Sequence, residues 1–360
     1  MTFPSNNESQ PQRLQASCGC GLPRRGFLTG LAALGGSALL SACAPLGHTQ
    51  AMRDRIDTHH HLFSPAYVKE LQALKMAPPL VSGWSLANTM DDMDKAGVAT
   101  SILSVTTPQV SVFKTDQARK VARESNEWVA SMARLHPGRF GSFAMLPMQD
   151  TDSALREMAY ALDVLKADGI GLLTSYADKW LGHPSFAPVM DELNRRKAIL
   201  YTHPTAANCC ENLLPNVPAT VVEFGTDTTR TIVDIVFSGT AARCPDVKFI
   251  FSHAGGTLPF LTERLQKMPV INKALAAKVP NGVMHELQRF YYDTAWSANP
   301  MALSSLLKLV NSSQVLFGSD YPYRTGEDNI KGLIDYGFSA ADLKAIGRDN
   351  ALRLIPRLKV

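Results

Sequence analysis

The sequence predicts a (β/α)8 TIM barrel with a mononuclear metal site at its C-terminal mouth. Three observations carry that expectation. Eight short apolar, β-prone runs alternate with helical patterns along the chain, the layout of a parallel barrel. The first run, Ile56-Asp57-Thr58-His59-His60-His61, ends in histidines. Side chains at i and i+2 of a strand share a face, so His59 and His61 can close on one ion. Finally, His203, His253 and Asp320 each stand just after a later apolar run, where barrels of this kind place their chemistry.

In chain order, alternation and apolar runs mark strands at 55–58, 99–105, 141–145, 169–173, 198–202, 248–252, 289–293 and 314–317. Helical periodicity is clearest at 115–135, 152–166, 185–196, 228–242, 257–268 and 300–310. Proline or an N-cap residue type stands near several helix starts, and glycine or proline near several ends. By this count His59 and His61 belong to strand one, His203 to strand five, His253 to strand six and Asp320 to strand eight. A barrel therefore brings residues more than 260 positions apart to one mouth.

With 45% hydrophobic and 19% charged residues, the chain has the composition of an ordinary globular protein. Residues 1–43 read differently. Pro23-Arg24-Arg25-Gly26-Phe27-Leu28 resembles a twin-arginine export signal, and 27–40 is a glycine-interrupted apolar stretch, short for a bilayer span. Leu40-Ser41-Ala42-Cys43 resembles a bacterial lipobox. These motifs imply passage through the twin-arginine export machinery to the bacterial periplasm. Membrane contact would come only through a lipid on Cys43, or not at all if cleavage falls after Ala44. Loss of 1–42 removes Arg13, Arg24, Arg25 and Glu8, so the net charge drops from +4 to +2. That value, with no basic run or aromatic stripe, excludes nucleic acid as a partner class. Cys209, Cys210 and Cys244 remain, too few for a disulfide framework. No repeat or linker divides 51–360, which reads as a single barrel domain.

Three imidazoles and a carboxylate form a nitrogen-rich set that suits Zn²⁺ first and Mn²⁺ or Fe²⁺ second. His59, His61, His203 and Asp320 are assigned as ligands. His253 is kept as an acid or base, because a site filled by protein at every position has no room for substrate. Binuclear barrels bridge two metals with a Lys or Glu at the end of strand four. Here that strand ends Gly171-Leu172-Leu173-Thr174-Ser175, so one ion is expected.

The set Asp-x-His-x-His, Tyr201-Thr202-His203-Pro204, Phe251-Ser252-His253-Ala254-Gly255-Gly256 and Phe317-Gly318-Ser319-Asp320-Tyr321-Pro322 resembles the amidohydrolase-related family, in the branch holding aminocarboxymuconate semialdehyde decarboxylase. Met145-Leu146-Pro147-Met148-Gln149 and Asp168-Gly169-Ile170-Gly171-Leu172 extend the likeness. Asp178 to Gly182, Glu192 to Arg196 and Asp227 to Arg230 are most similar to 6-methylsalicylate decarboxylase-like proteins. The resemblance implies the same metal ligands, His253 as water activator or proton shuttle, and a homodimer. In one place the chain departs from the branch. Arginines that hold a second carboxylate in the semialdehyde decarboxylase have no counterpart in 88–98, which offers Thr89 and Asp91. An aromatic monoacid is thus expected over a dicarboxylate.

The expected activity is metal-dependent, non-oxidative decarboxylation of an aromatic or enoic acid, a carboxy-lyase reaction with His253 and Asp320 as catalytic residues. A lactonase or amidohydrolase on a small cyclic substrate would use the same residue types, and a non-catalytic metal-binding surface lipoprotein is the third reading. Arg230, which opens a helix, and Arg264, on the helix after the strand-six glycines, are candidate partners for a substrate carboxylate. For each, a surface or interface ion pair is the alternative. Trp180, Trp296 and Tyr176 follow strands and are candidate walls of an aromatic pocket, with ordinary packing as the alternative.

Overall fold

The computed structural model describes residues 54–210 and 213–359. The expected leader at 1–43, Cys43 included, lies outside the described residues. Eight parallel strands follow one another in sequence order around the sheet: β1 Arg55–His61, β2 Val98–Ser104, β3 Phe140–Met145, β4 Gly169–Leu173, β5 Ile199–His203, β6 Lys248–Phe251, β7 Tyr291–Asp293 and β8 Val315–Leu316. The ring closes between its ends. Thr58 N–H donates to Phe317 O at 2.9 Å and His61 N–H to Tyr321 O at 2.8 Å, and His60 bridges Tyr321 in parallel. A (β/α)8 barrel results, as the alternation predicts.

The helices used below are α1 Leu86–Lys95, α2 Thr115–Leu135, α3 Thr151–Asp163, α4 Ala187–Arg195, α5 Glu223–Phe237, α6 Leu258–Ile271, α7 Pro300–Leu309 and α8 Gly326–Tyr336. They lie outside the sheet, and all but α6, in which Leu258 alone is buried, bury one stripe each. In α2 that stripe is Ala118, Val121, Ala122, Ser125, Asn126, Val129 and Ala130, the i, i+3, i+4, i+7 pattern of a core-facing helix. Covered by helices outside and packed inside, the strands are buried on both faces.

Inside the ring, Ile56, Ile102, Phe143, Ile199, Tyr201, Ile250 and Leu316 pack with Ala351, Leu352, Ile355 and Leu358 from the C-terminal segment. The C-terminal segment thereby plugs the end where the strands begin. The opposite end stays available for polar side chains.

Several boundaries differ from the sequence reading. β1 runs to His61 rather than stopping at residue 58, because the backbone of His60 and His61 pairs with Leu103 and Ser104 of β2. The histidines are thus in the strand itself. β7 starts at Tyr291, since Arg289 ends a short helix, Val283–Arg289. α5 begins five residues before the expected position and stops at Phe237, where Gly239 at φ 83° turns the chain. α6 runs through Pro269 to Ile271. α1 and α8 have no counterpart among the helices that periodicity marks.

Candidate metal centre

β1 carries His59 and His61 to the C-terminal end of the ring on one face, with their rings 4.9 Å apart. β5 ends in His203, whose ring lies 4.7 Å from that of His61 and 5.3 Å from that of His59. Past β8 the chain delivers Asp320. One ligand atom from each of these four buried residues lies within 4.8 Å of all the others. Gly318 permits this closure, because a Cβ there would stand 2.7 Å from His59 Cβ.

Each imidazole is oriented by its outer nitrogen. His59 Nδ1–H donates to Asp293 Oδ2 at 2.8 Å, His61 Nδ1–H to Ser104 O at 3.3 Å, and His203 Nδ1–H to Pro204 O at 2.8 Å. In that tautomer all three Nε2 atoms turn lone pairs inward, the usual arrangement behind a metal-ligating histidine. Two of them, on His59 and His61, face each other at 3.1 Å. Asp320 Oδ1 lies 2.8 Å from His61 Nε2 and 3.2 Å from His59 Nε2, yet it is buried without a hydrogen-bond donor. Converging lone pairs around an orphaned carboxylate oxygen need a cation between them, so these residues fit a divalent ion. The donor set, three nitrogens and one oxygen, suits zinc or manganese.

The electrostatics agree. Burial works against a charged His59, but Asp293 and Asp320 outweigh it and push the imidazole up to about 10. Burial holds His61 below its ordinary value and His203 well below. Burial also opposes ionisation of Asp320, but the surrounding imidazoles, His59 first and then His253 and His61, outweigh it and hold the carboxyl well below the carboxylate range. Two buried carboxylates thus call for positive charge at this point, either a proton on His59 or a bound cation.

His253 stands beside this group. Its Nε2 is 3.3 Å from Asp320 Oδ2, so Asp320 turns one oxygen to His59 and His61 and the other to His253. Both residues occupy left-handed backbone, φ 55° for His253 and φ 68° for Asp320, which costs about 1–3 kcal/mol for a non-glycine residue. Anchors offset that cost. Asp320 N–H donates to His59 O at 2.8 Å, and His253 N–H to Asp293 Oδ1 at 2.9 Å.

Of the other candidates, Trp180 donates Nε1–H to Asp227 Oδ1 at 2.6 Å, and Arg230 lies 6.0 Å from the Trp180 ring and 3.6 Å from Glu223 Oε2. They form a cluster between β4 and α5. Tyr176 is packed in, its hydroxyl bonded to Gln109 and to the Leu173 N–H. Trp296 sits past β7, 55% exposed. Arg264 is on the exposed face of α6 and is not brought to the centre within the chain. Cys209, Cys210 and Cys244 are free thiols.

Three neighbours escaped the sequence reading. Asp293 ends β7 much as Asp320 follows β8, a signal that was present and unread. Phe224, against His203 at 6.0 Å, stands in the first turn of α5, ahead of the periodicity at 228–242, and Tyr323, against His61 at 5.9 Å, lies in a segment without a periodic pattern.

The chain belongs to the amidohydrolase family, whose model matches residues 56–357. Within that class it is similar to a decarboxylase of Penicillium terrestre, 37% identical over 329 residues, 85% of this chain and 96% of the relative. It is likewise similar to a 6-methylsalicylic acid decarboxylase of Aspergillus aculeatus, 36% identical, covering 85% of this chain and 97% of the relative. Its fold matches that of a dihydroxybenzoic acid decarboxylase from Polaromonas, solved with bound manganese and the inhibitor 2-nitroresorcinol, with a TM-score of 0.73, 23% identity and coverage of 85% and 98%. The sources of the first two correct one expectation. Both relatives are fungal decarboxylases, which overturns twin-arginine export of the chain as a periplasmic or lipid-anchored bacterial protein.

Proposed function

We propose that the chain is a metal-dependent, non-oxidative decarboxylase acting on an ortho-hydroxylated aromatic acid such as 6-methylsalicylate. The observation that carries this reading is the division of Asp320 between the metal group and His253, in a chain more than a third identical to decarboxylases over most of its length. His59, His61, His203 and Asp320 would hold one ion, Zn²⁺ by ligand chemistry or the Mn²⁺ found in the Polaromonas structure. When bound, such an ion neutralises and polarises the carboxylate and the adjacent hydroxyl oxygen of the acid.

The remaining work falls to the chain. His253 or Asp320 passes a proton to the ring carbon that bears the carboxylate, which interrupts conjugation. The bond to the carboxylate carbon then breaks, its electron pair restores the conjugated ring, and carbon dioxide leaves. One proton replaces one carboxylate, so no oxidant or reductant enters. Phe224, Tyr323 and Trp180 offer aromatic surface for the substrate ring, and Arg230 a cation beside Trp180.

Residues 51–360 act as one catalytic domain in this reading. Pairing of two copies is supported by Phe260, Val270 and Ile271 on α6 and Met301 on α7, all more than 70% exposed.

Carbon dioxide release by the metal-loaded protein from a panel of hydroxybenzoates, 6-methylsalicylate among them, tests the proposal. Turnover of a lactone with no carbon dioxide from any aryl acid would instead establish a hydrolase.

A further inference from the structure

Beside the mouth stands a cation, Arg324, that no acid among the described residues neutralises. Arg324 lies four residues past Asp320, in a turn closed by its own N–H to Asp320 O at 3.3 Å. It is half-buried, and its guanidinium rests 5.6 Å from the centroid of the Trp296 ring. Among the described residues no carboxylate pairs with it and no hydrogen bond holds its side chain. The other two candidate arginines differ. Arg230 already faces Glu223, and Arg264 points from the exposed side of α6.

Resting on the decarboxylase reading above, we infer that Arg324, backed by Trp296 between the ends of β7 and β8, is the residue that recognises the carboxylate of the incoming aryl acid. A half-desolvated guanidinium without an acid is an anion site waiting for its partner, and its planar fork matches a carboxylate. Trp296 holds the fork by a cation–π contact. Tyr323, the adjacent residue, has its ring 5.9 Å from that of His61, so the turn that carries Arg324 borders the metal centre.

The reaction gives the pairing a kinetic signature. Negative charge leaves the carboxylate as carbon dioxide forms, so Arg324 holds the ground state at least as firmly as the transition state. Its loss should raise KM without lowering kcat.

The experiment uses the full-length, metal-loaded protein and its Arg324→Gln and Arg324→Lys variants. Calorimetry measures the Kd of salicylate, an anion, and of phenol, which lacks the carboxylate; turnover of 6-methylsalicylate gives KM and kcat. Arg324→Gln is expected to weaken salicylate about tenfold or more, leave phenol within about twofold and leave kcat unchanged, with partial recovery in Arg324→Lys. Unchanged salicylate affinity overturns the inference. So does an equal loss for salicylate and phenol, which would mean a disturbed pocket and no charge recognition. If the unaltered protein releases no carbon dioxide from any aryl acid, the decarboxylase reading fails, while the two Kd values still decide whether Arg324 binds the carboxylate.

Discussion

One carboxylate, that of Asp293, anchors two of the residues on which the centre depends. Its Oδ2 takes His59 Nδ1–H, and its Oδ1 takes the N–H groups of His253 and Ala295. Asparagine there keeps one carbonyl acceptor and turns the other into a donor, so it cannot serve both sides. Asp293→Asn is expected to weaken metal binding by about 10- to 100-fold, the usual consequence of losing the partner behind a ligating histidine, measured by competition with a chelator. Unchanged affinity would mean that packing alone orients His59. His253 gives a contrasting case, since it touches Asp320 and lies outside the proposed ligand set. His253→Ala should keep its metal and lose roughly 10² to 10⁴ in kcat; stoichiometric loss of metal would make His253 a ligand. Both residues follow apolar strands, yet only the histidine was read from sequence. An aspartate after a strand is common enough to pass for a turn until a histidine is seen against it.

Elements away from the chemistry hold it in place through buried polar contacts. Asp92 projects from α1 to the start of α8, where its carboxylate accepts the Gly326 N–H at 3.2 and 3.3 Å. Burial pushes this carboxyl up to about 6. Its folded value lies above the unfolded one, so between about pH 4 and pH 6 the unfolded chain binds fewer protons and stability falls as pH rises. Above that window the penalty persists. Asp92→Asn, which retains a carbonyl acceptor for Gly326, should therefore raise Tm at pH 7.5 and flatten the dependence of Tm on pH through the window. A lower Tm at pH 7.5 would show the ionised form to be needed. Neither helix was expected from periodicity. α1, with Thr89, Asp92 and Met93 as its buried residues, has too many polar residues on its inner face to announce itself. β1 shows the converse, because the apolar alternation ends before His59 while the backbone ladder continues to His61.

Across the whole molecule, the metal group joins β1, β5 and the segment beyond β8 at the point where the ring closes, so metal binding and barrel stability are coupled. An ion bound only by the folded chain adds about 2.7 kcal/mol when present at a hundred times its Kd. Removal by a chelator should lower Tm, and one equivalent of Zn²⁺ or Mn²⁺ per chain should restore it. Restoration only at two equivalents, or full metal occupancy in His203→Ala, would refute the single site. Sequence by itself determined the barrel, the strand that brings each ligand, and the four residues the structure groups, because strand periodicity and a ligand's position near a strand's end are local properties. Tertiary structure alone decided the rest. It set Asp293 behind His59, turned Asp320 between His61 and His253, brought Phe224 and Tyr323 to the histidines, and gave Arg230 an acid while leaving Arg324 with none among the described residues. Those outcomes depend on which loop ends meet across the mouth, and a contact between separate segments leaves no periodic trace in either of them.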